Sequence, residues 1–184
     1  MKHSPRRYWR DPRGLALWLL GLLFILWRLF ASADSPDASD APELLVEGIH
    51  QVRRVVDGDT LLLSSGARVR LQGIDTPESV LEDEPPEPFG PEASQFTKEF
   101  VHRANHQVRL TFSLERKDRH DRFLAFVWNG DVMLNEELVR AGLAHARLDY
   151  RYSDSMKRRL ARAQDEAREA GRGIWSISAA FPRD

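Results

Sequence analysis

Three carboxylates fall within twenty residues, each where an apolar run breaks: Asp59 in Val56-Asp57-Gly58-Asp59-Thr60, and Asp75 and Glu78 in Ile74-Asp75-Thr76-Pro77-Glu78. Two carboxylates and a backbone carbonyl make an all-oxygen donor set, which suits a hard cation such as Ca²⁺. Taken singly, Asp57-Gly58-Asp59 also reads as a plain turn, Asp75 as an Asx-turn ahead of proline, and Glu78 as a solvated loop acid. Arg70 and Arg122 bring the opposite charge. A guanidinium meets phosphate oxygens as a planar fork and holds negative charge that builds in a transition state. Arg122 closes the run Arg116-Lys117-Asp118-Arg119-His120-Asp121-Arg122, which by itself reads as a solvated basic loop. The chain has no cysteine, so a disulfide scaffold, a thiolate zinc site and a cysteine nucleophile are excluded.

These residues need elements that carry them to one place. Ile49–Val56 and Thr60–Leu63 are β-rich runs flanking Asp57-Gly58-Asp59, and Ser64-Ser65-Gly66 is the next hairpin turn. The strand Arg68–Ile74 follows, with Val69 and Leu71 on one face and Arg68 and Arg70 on the other. Ser79–Gly90 is acidic and proline-rich, hence a loop. Pro91 suits the first turn of a helix that runs to about Ala104. Gln107–Ser113 and Leu124–Trp128 are the fourth and fifth strands, the fifth turned by Asn129-Gly130. Asn135 is placed to cap a short helix stopped at Gly142. A final helix runs from about Ser155 to Ala170, with Met156, Leu160, Ala163 and Ala167 inward, and Gly171 ends it. The expected class is mainly β or α+β: a five-stranded barrel of the OB type with three helices.

Ahead of this domain, residues 1–13 are basic and Gly14–Trp27 is uncharged and apolar. Extended to Ala33, residues 14–33 cover ~30 Å as a helix, which is a membrane span if Arg28 snorkels to the interface. The same stretch fits a signal peptide cleaved after Ala31-Ser32-Ala33. Both alternatives place the rest of the chain outside the cytoplasmic membrane: tethered by a single pass with its N-terminus inside, or released as a secreted or periplasmic protein. Residues 34–48 form an acidic linker rich in proline, serine and alanine, residues 49–178 the domain, and 179–184 a tail.

Several motifs now align with a known family. Val56-Asp57-Gly58-Asp59-Thr60, Arg70-Leu71-Gln72-Gly73-Ile74-Asp75-Thr76-Pro77-Glu78, Gly90-Pro91-Glu92-Ala93-Ser94, Asp118 to Arg122, Asn135 to Leu143 and Gly173-Ile174-Trp175 resemble the staphylococcal nuclease (thermonuclease) family in order and spacing. The resemblance implies an OB-fold barrel with three helices and a Ca²⁺-dependent phosphodiesterase acting on DNA and RNA that leaves 3′-phosphate ends. It assigns Asp59, Asp75 and the Thr76 carbonyl to calcium, Glu78 to the attacking water, and Arg70 and Arg122 to the scissile phosphate. His120 and Asp121 stand where the family often has an aromatic residue and a glycine, so base contact is expected from His120 with Arg119, and from Tyr150 rather than Tyr152.

The formal net charge is only −1, from 27 basic and 28 acidic residues, so affinity for a polyanion must come from local arginines or a cation. A non-catalytic nucleic-acid-binding OB module is the alternative function, and a tethered peptide-binding barrel is a third. Such modules typically lack the carboxylates or the arginines, and all five side chains are present here. A single barrel of this size is expected to be a monomer. DNA or RNA preference and endo or exo action are not encoded in these motifs.

Overall fold

A computed structural model describes residues 42–79 and 85–176. The expected anchor at 14–33, most of the linker and the C-terminal tail lie outside these residues. Among the described residues, no helix is long and apolar enough to cross a membrane.

The barrel is organised by its first strand, β1 (Gly48–Asp57), which is long enough to serve two neighbours. Its first half pairs antiparallel with β5 (Gln107–Thr111), Ile49 opposite Arg109, and its second half with β2 (Thr60–Leu63), Val52 opposite Leu63. Two register shifts along β1 let it bend from one partner to the other. β2 continues antiparallel into β3 (Arg68–Leu71), and β5 into β6 (Phe123–Asn129). A parallel β3–β6 pairing, Arg70 opposite Leu124, closes five strands on themselves and leaves no open edge among them. Alternation fills the interior: Val108 and Leu110 are buried between the exposed Gln107 and Arg109, and Leu61, Val69 and Leu71 face them. The barrel and its three helices match the expected fold.

α1 (Gly90–Arg103) begins with Pro91 in its first turn and buries Ala93, Thr97, Phe100 and Val101 against the barrel. α2 (Leu134–Arg140) follows the short β7 (Val132–Met133), and α3 (Asp154–Glu169) follows β8 (His145–Ala146). Leu160, Ala163 and Ala167 of α3 are buried as predicted, and Met156 is partly covered. At the other end of the domain, Leu45 is 3% exposed within the core, and Glu47 Oε1 accepts the Phe112 N–H at 3.0 Å. Packing on the domain thus begins before Ile49.

Two expectations are corrected. The sequence predicts one strand from Arg68 to Ile74, but the backbone turns at Gly73 and a separate pair, β4 (Ile74–Asp75), leaves the barrel to pair with β8. Gly73 has φ +79, and a Cβ there would lie 2.8 Å from the Tyr152 ring and 2.9 Å from Leu160, so this corner demands glycine. The sequence also predicts Asn135 as a helix cap. Instead it is fully buried within α2: its Oδ1 accepts the Val127 N–H at 2.9 Å, and its Nδ2 donates to the Gln72 carbonyl at 2.9 Å and the Ala125 carbonyl at 3.3 Å. It pairs the Val127 N–H and the Gln72 carbonyl, and adds a second bond to the Ala125 carbonyl, which already accepts the Gln72 N–H at 2.8 Å.

Candidate active site

The corner at Gly73 directs Asp75 and the loop after it back over the β1–β2 turn. That turn fits beneath the loop because Gly58 has no side chain. A Cβ at Gly58 would sit 2.8 Å from Thr76 Oγ1 and 2.9 Å from Ala93 Cβ. Thr97 of α1 holds the turn from the other side, donating its hydroxyl to the Gly58 carbonyl at 2.6 Å. Asp59 is thereby 2% exposed. Its Oδ1 accepts the Thr60 hydroxyl at 3.0 Å, and its Oδ2 accepts the Thr76 N–H at 3.3 Å.

Arg70 lies opposite Thr60 in the β2–β3 register, which aims its guanidinium at this floor. Nη1 pairs with Asp59 Oδ1, and Nη2 lies 2.5 Å from Asp75 Oδ1. One guanidinium therefore bridges the two aspartates. Burial raises the Asp59 carboxyl above its ordinary pKa, and the Arg70 charge offsets this only in part. A buried carboxylate in that state is stabilised by further positive charge.

The donor set fits a hard cation. Two carboxylates converge closely enough to share a single positive group, no sulfur or imidazole is among them, and Thr76 Oγ1 is a buried oxygen without a hydrogen-bond partner among the described residues. Among the described residues, no three histidine, cysteine, aspartate or glutamate side chains form a metal cage. A cation here would complete its shell with backbone oxygen, water and substrate.

Glu78 is solvent-exposed but not isolated. It is hydrogen-bonded to Asp57, which is fixed in turn by the Ser79 hydroxyl at 2.5 Å and the Gly58 N–H at 2.8 Å. That bond to Asp57, then burial, then the negative charges of Asp57 and Asp59 push Glu78 up to about 7. Burial also acts to raise Asp57, but its hydrogen bonds from Glu78, Ser79 and Gly58 outweigh it and hold this carboxyl below its ordinary value. Two adjacent carboxyls with pKa values driven apart give one acid held ionised and one poised near neutrality.

Above this floor opens a cleft of about 550 Å³ whose walls carry Arg70, Glu78, Arg119, His120, Arg122 and Tyr150. Six of the nine predicted site residues thus share one cavity. The other three, Asp59, Asp75 and Thr76, adjoin it: Asp59 and Asp75 through Arg70, and Thr76 through its N–H bond to Asp59. Arg122 is oriented by Asp118: Oδ2 accepts Nε and Nη2 at 2.7 Å each, while Oδ1 accepts the Arg122 N–H at 3.0 Å and the His120 N–H at 2.9 Å. Burial acts to raise Asp118, but these bonds prevail and hold it below the ordinary carboxylate range. Asp121 has φ +60, so the backbone keeps at this position the left-handed turn that a glycine would adopt freely. Arg119 Nε donates to His120 Nε2 at 3.0 Å on the rim.

Tyr150 is 42% exposed and lines the cleft, whereas Tyr152 is 3% exposed, packs edge-on against Phe126 and donates its hydroxyl to the Arg147 carbonyl at 3.0 Å. Tyr150 thus borders the cleft, and Tyr152 belongs to the core. Three further residues shape the site: Asp57, Asp118 and Arg147, whose Nη1 is 3.2 Å from Asp75 Oδ2. Asp57 was visible in the Asp57-Gly58-Asp59 motif, and Asp118 in its four-residue spacing from Arg122. Arg147 carries no local sequence signal.

Residues 68–177 match the family model described as staphylococcal nuclease homologue. The chain is 37% identical over 161 residues to the thermonuclease of Staphylococcus hyicus, covering 86% of this chain and 94% of that protein. It is 36% identical over 165 residues to the thermonuclease of Staphylococcus intermedius, covering 88% and 95%. A more distant likeness, 30% over 128 residues, covers 68% of this chain and 60% of endonuclease YncB of Bacillus subtilis (strain 168).

Proposed function

This chain belongs to the staphylococcal nuclease family and is a nuclease, and on that premise we propose that it is a calcium-dependent phosphodiesterase that hydrolyses DNA, RNA or both outside the cytoplasm and leaves 3′-phosphate ends. The observation that carries this is the Arg70 guanidinium bridging Asp59 and Asp75 at the floor of a cleft whose walls present Glu78 and Arg122. Asp59, Asp75 and the Thr76 carbonyl would hold the cation. When bound, it supplies positive charge beside a phosphate oxygen and lowers the pKa of a water.

Glu78, ionised, takes the proton of the attacking water. Water oxygen bonds to phosphorus as the P–O5′ bond breaks, and the departing 5′ oxygen is protonated from solvent. Arg122 faces the non-bridging oxygens with Nη1, which has no partner among the described residues because Asp118 occupies Nε and Nη2. Arg70 adds a second guanidinium as charge grows. Tyr150 offers a ring face for a base, and Arg119 and His120 line the path of the flanking strand.

The extracytoplasmic placement rests on the basic segment followed by the apolar run at 14–33 and on the absence of cysteine. Calcium outside the cytoplasm is abundant enough for a site with only two carboxylates. Incubating the full chain with single-stranded DNA, in calcium and then in excess chelator, tests the chemistry. Cleavage in calcium alone is expected, and undiminished cleavage in chelator would remove the cation from the mechanism.

A further inference from the structure

Asp75 is held by a second guanidinium that the proposed chemistry does not use. Arg147, one residue beyond β8, places Nη1 3.2 Å from Asp75 Oδ2, opposite the oxygen that Arg70 holds. The same guanidinium lies 3.3 Å from both Asp149 oxygens, through Nε and Nη2, and its Cζ is 4.8 Å from the centroid of the Tyr150 ring. Its main chain is pinned on both sides. The N–H donates to the Gly73 carbonyl at 2.8 Å, and the carbonyl accepts the Tyr152 hydroxyl at 3.0 Å. The corner that aims Asp75 therefore also fixes where Arg147 begins.

Both oxygens of Asp75 are thus engaged by guanidinium groups, and a cation bound to Asp75 competes with those groups for its negative charge. The Arg147 contact is the longer of the two, and its side chain is 36% exposed against 16% for Arg70. It is the contact that yields. A released arginine has partners waiting, because Asp149 already takes two of its nitrogens and the Tyr150 ring lies against its face.

We propose that Arg147 is a positioning residue that competes with the catalytic cation for Asp75 and, once displaced, is retained by the contacts it already makes with Asp149 and the Tyr150 ring. The inference rests on the assignment of Asp75 as a cation ligand.

Calorimetric titration of the full chain with calcium alone, without nucleic acid, tests it. A half-exposed ion pair of this kind shifts a competing equilibrium by about 2–5-fold, so Arg147→Ala should bind calcium tighter by that factor. Arg147→Lys, which keeps the charge, should fall nearer the unaltered chain. Asp149→Ala should weaken calcium binding by depriving the displaced arginine of its partner, and that weakening should vanish in the Arg147→Ala background. Calcium affinity unchanged or reduced by Arg147→Ala would overturn the proposal. So would additive effects of the two substitutions, which would mean that each acts only through its net charge. Absence of calcium binding by the unaltered chain and Asp75→Ala alike would overturn the cation assignment itself, and this inference with it.

Discussion

Asp118 grips Arg122 at both ends, accepting its backbone N–H at 3.0 Å on one oxygen and its Nε and Nη2 at 2.7 Å on the other. The guanidinium is thereby set in orientation before substrate arrives. Preorganised donors stabilise a transition state more effectively than mobile ones, because they need not be ordered during the reaction.

Asp118→Ala should therefore lower kcat by roughly 10–100-fold, the scale of a misplaced catalytic group. Asp118→Asn, which keeps one acceptor oxygen, should lie between. Removing Asp118 in an Arg122→Ala background should cost almost nothing more, because the carboxylate acts through that arginine. Steady-state kinetics of the four proteins check this, and additive losses would contradict it.

The Asp57–Glu78 pair sets a pH dependence. Glu78 titrates at about 7 in the cation-free protein and must be ionised to accept a proton, so activity is present above that value and falls as pH drops through it. A bound cation favours the ionised form, so rising calcium should move this acid limb to lower pH. Asp57→Asn removes the negative charge and the shared proton that raise Glu78, and it should shift the limb downward as well. Profiles of kcat/KM against pH measure both shifts, and a limb indifferent to Asp57 would separate the two carboxyls.

Asn135 carries a stability prediction. Its amide satisfies one backbone N–H and two carbonyls in a fully buried setting. Asn135→Ala strands the Val127 N–H and the Gln72 carbonyl, while the Ala125 carbonyl keeps the Gln72 N–H; at ~1–3 kcal/mol for each group left unpaired, a loss of about 2–4 kcal/mol is expected. Thermal unfolding should show a fall in Tm of roughly 10 °C. A change within a degree or two would mean that water replaces the amide.

Legibility in the sequence tracked how local each determinant is. Gln107–Thr111 announced itself by alternation, and Asp57-Gly58-Asp59 and Asn129-Gly130 by turn chemistry, because each depends on neighbours in sequence. The corner at Gly73 was hidden at the end of the alternating run Val69-Arg70-Leu71-Gln72, where the sequence reads as one continuous strand to Ile74. Its cause is the Tyr152 ring and Leu160 pressing on that backbone, and both lie far along the chain. Asn135 looked like a cap because a capping amide and a buried clamp are the same residue type at the start of a helix. Arg147 meets Asp75 across 72 residues, and only the β4–β8 pairing brings them together. The candidate site residues stand out in the sequence because their motifs are contiguous. Of their supports, Asp57 and Asp118 lie within those motifs, whereas Arg147 reaches Asp75 only through a tertiary contact.

Glu78→Gln tests the central claim most directly, since glutamine keeps the size and polarity of the side chain but cannot take a proton. With single-stranded DNA and saturating calcium, kcat should fall by at least about 10²-fold while KM changes only a few-fold. Turnover near that of the unaltered chain would contradict the account, because the cleft would then hydrolyse phosphodiesters without the base assigned to it.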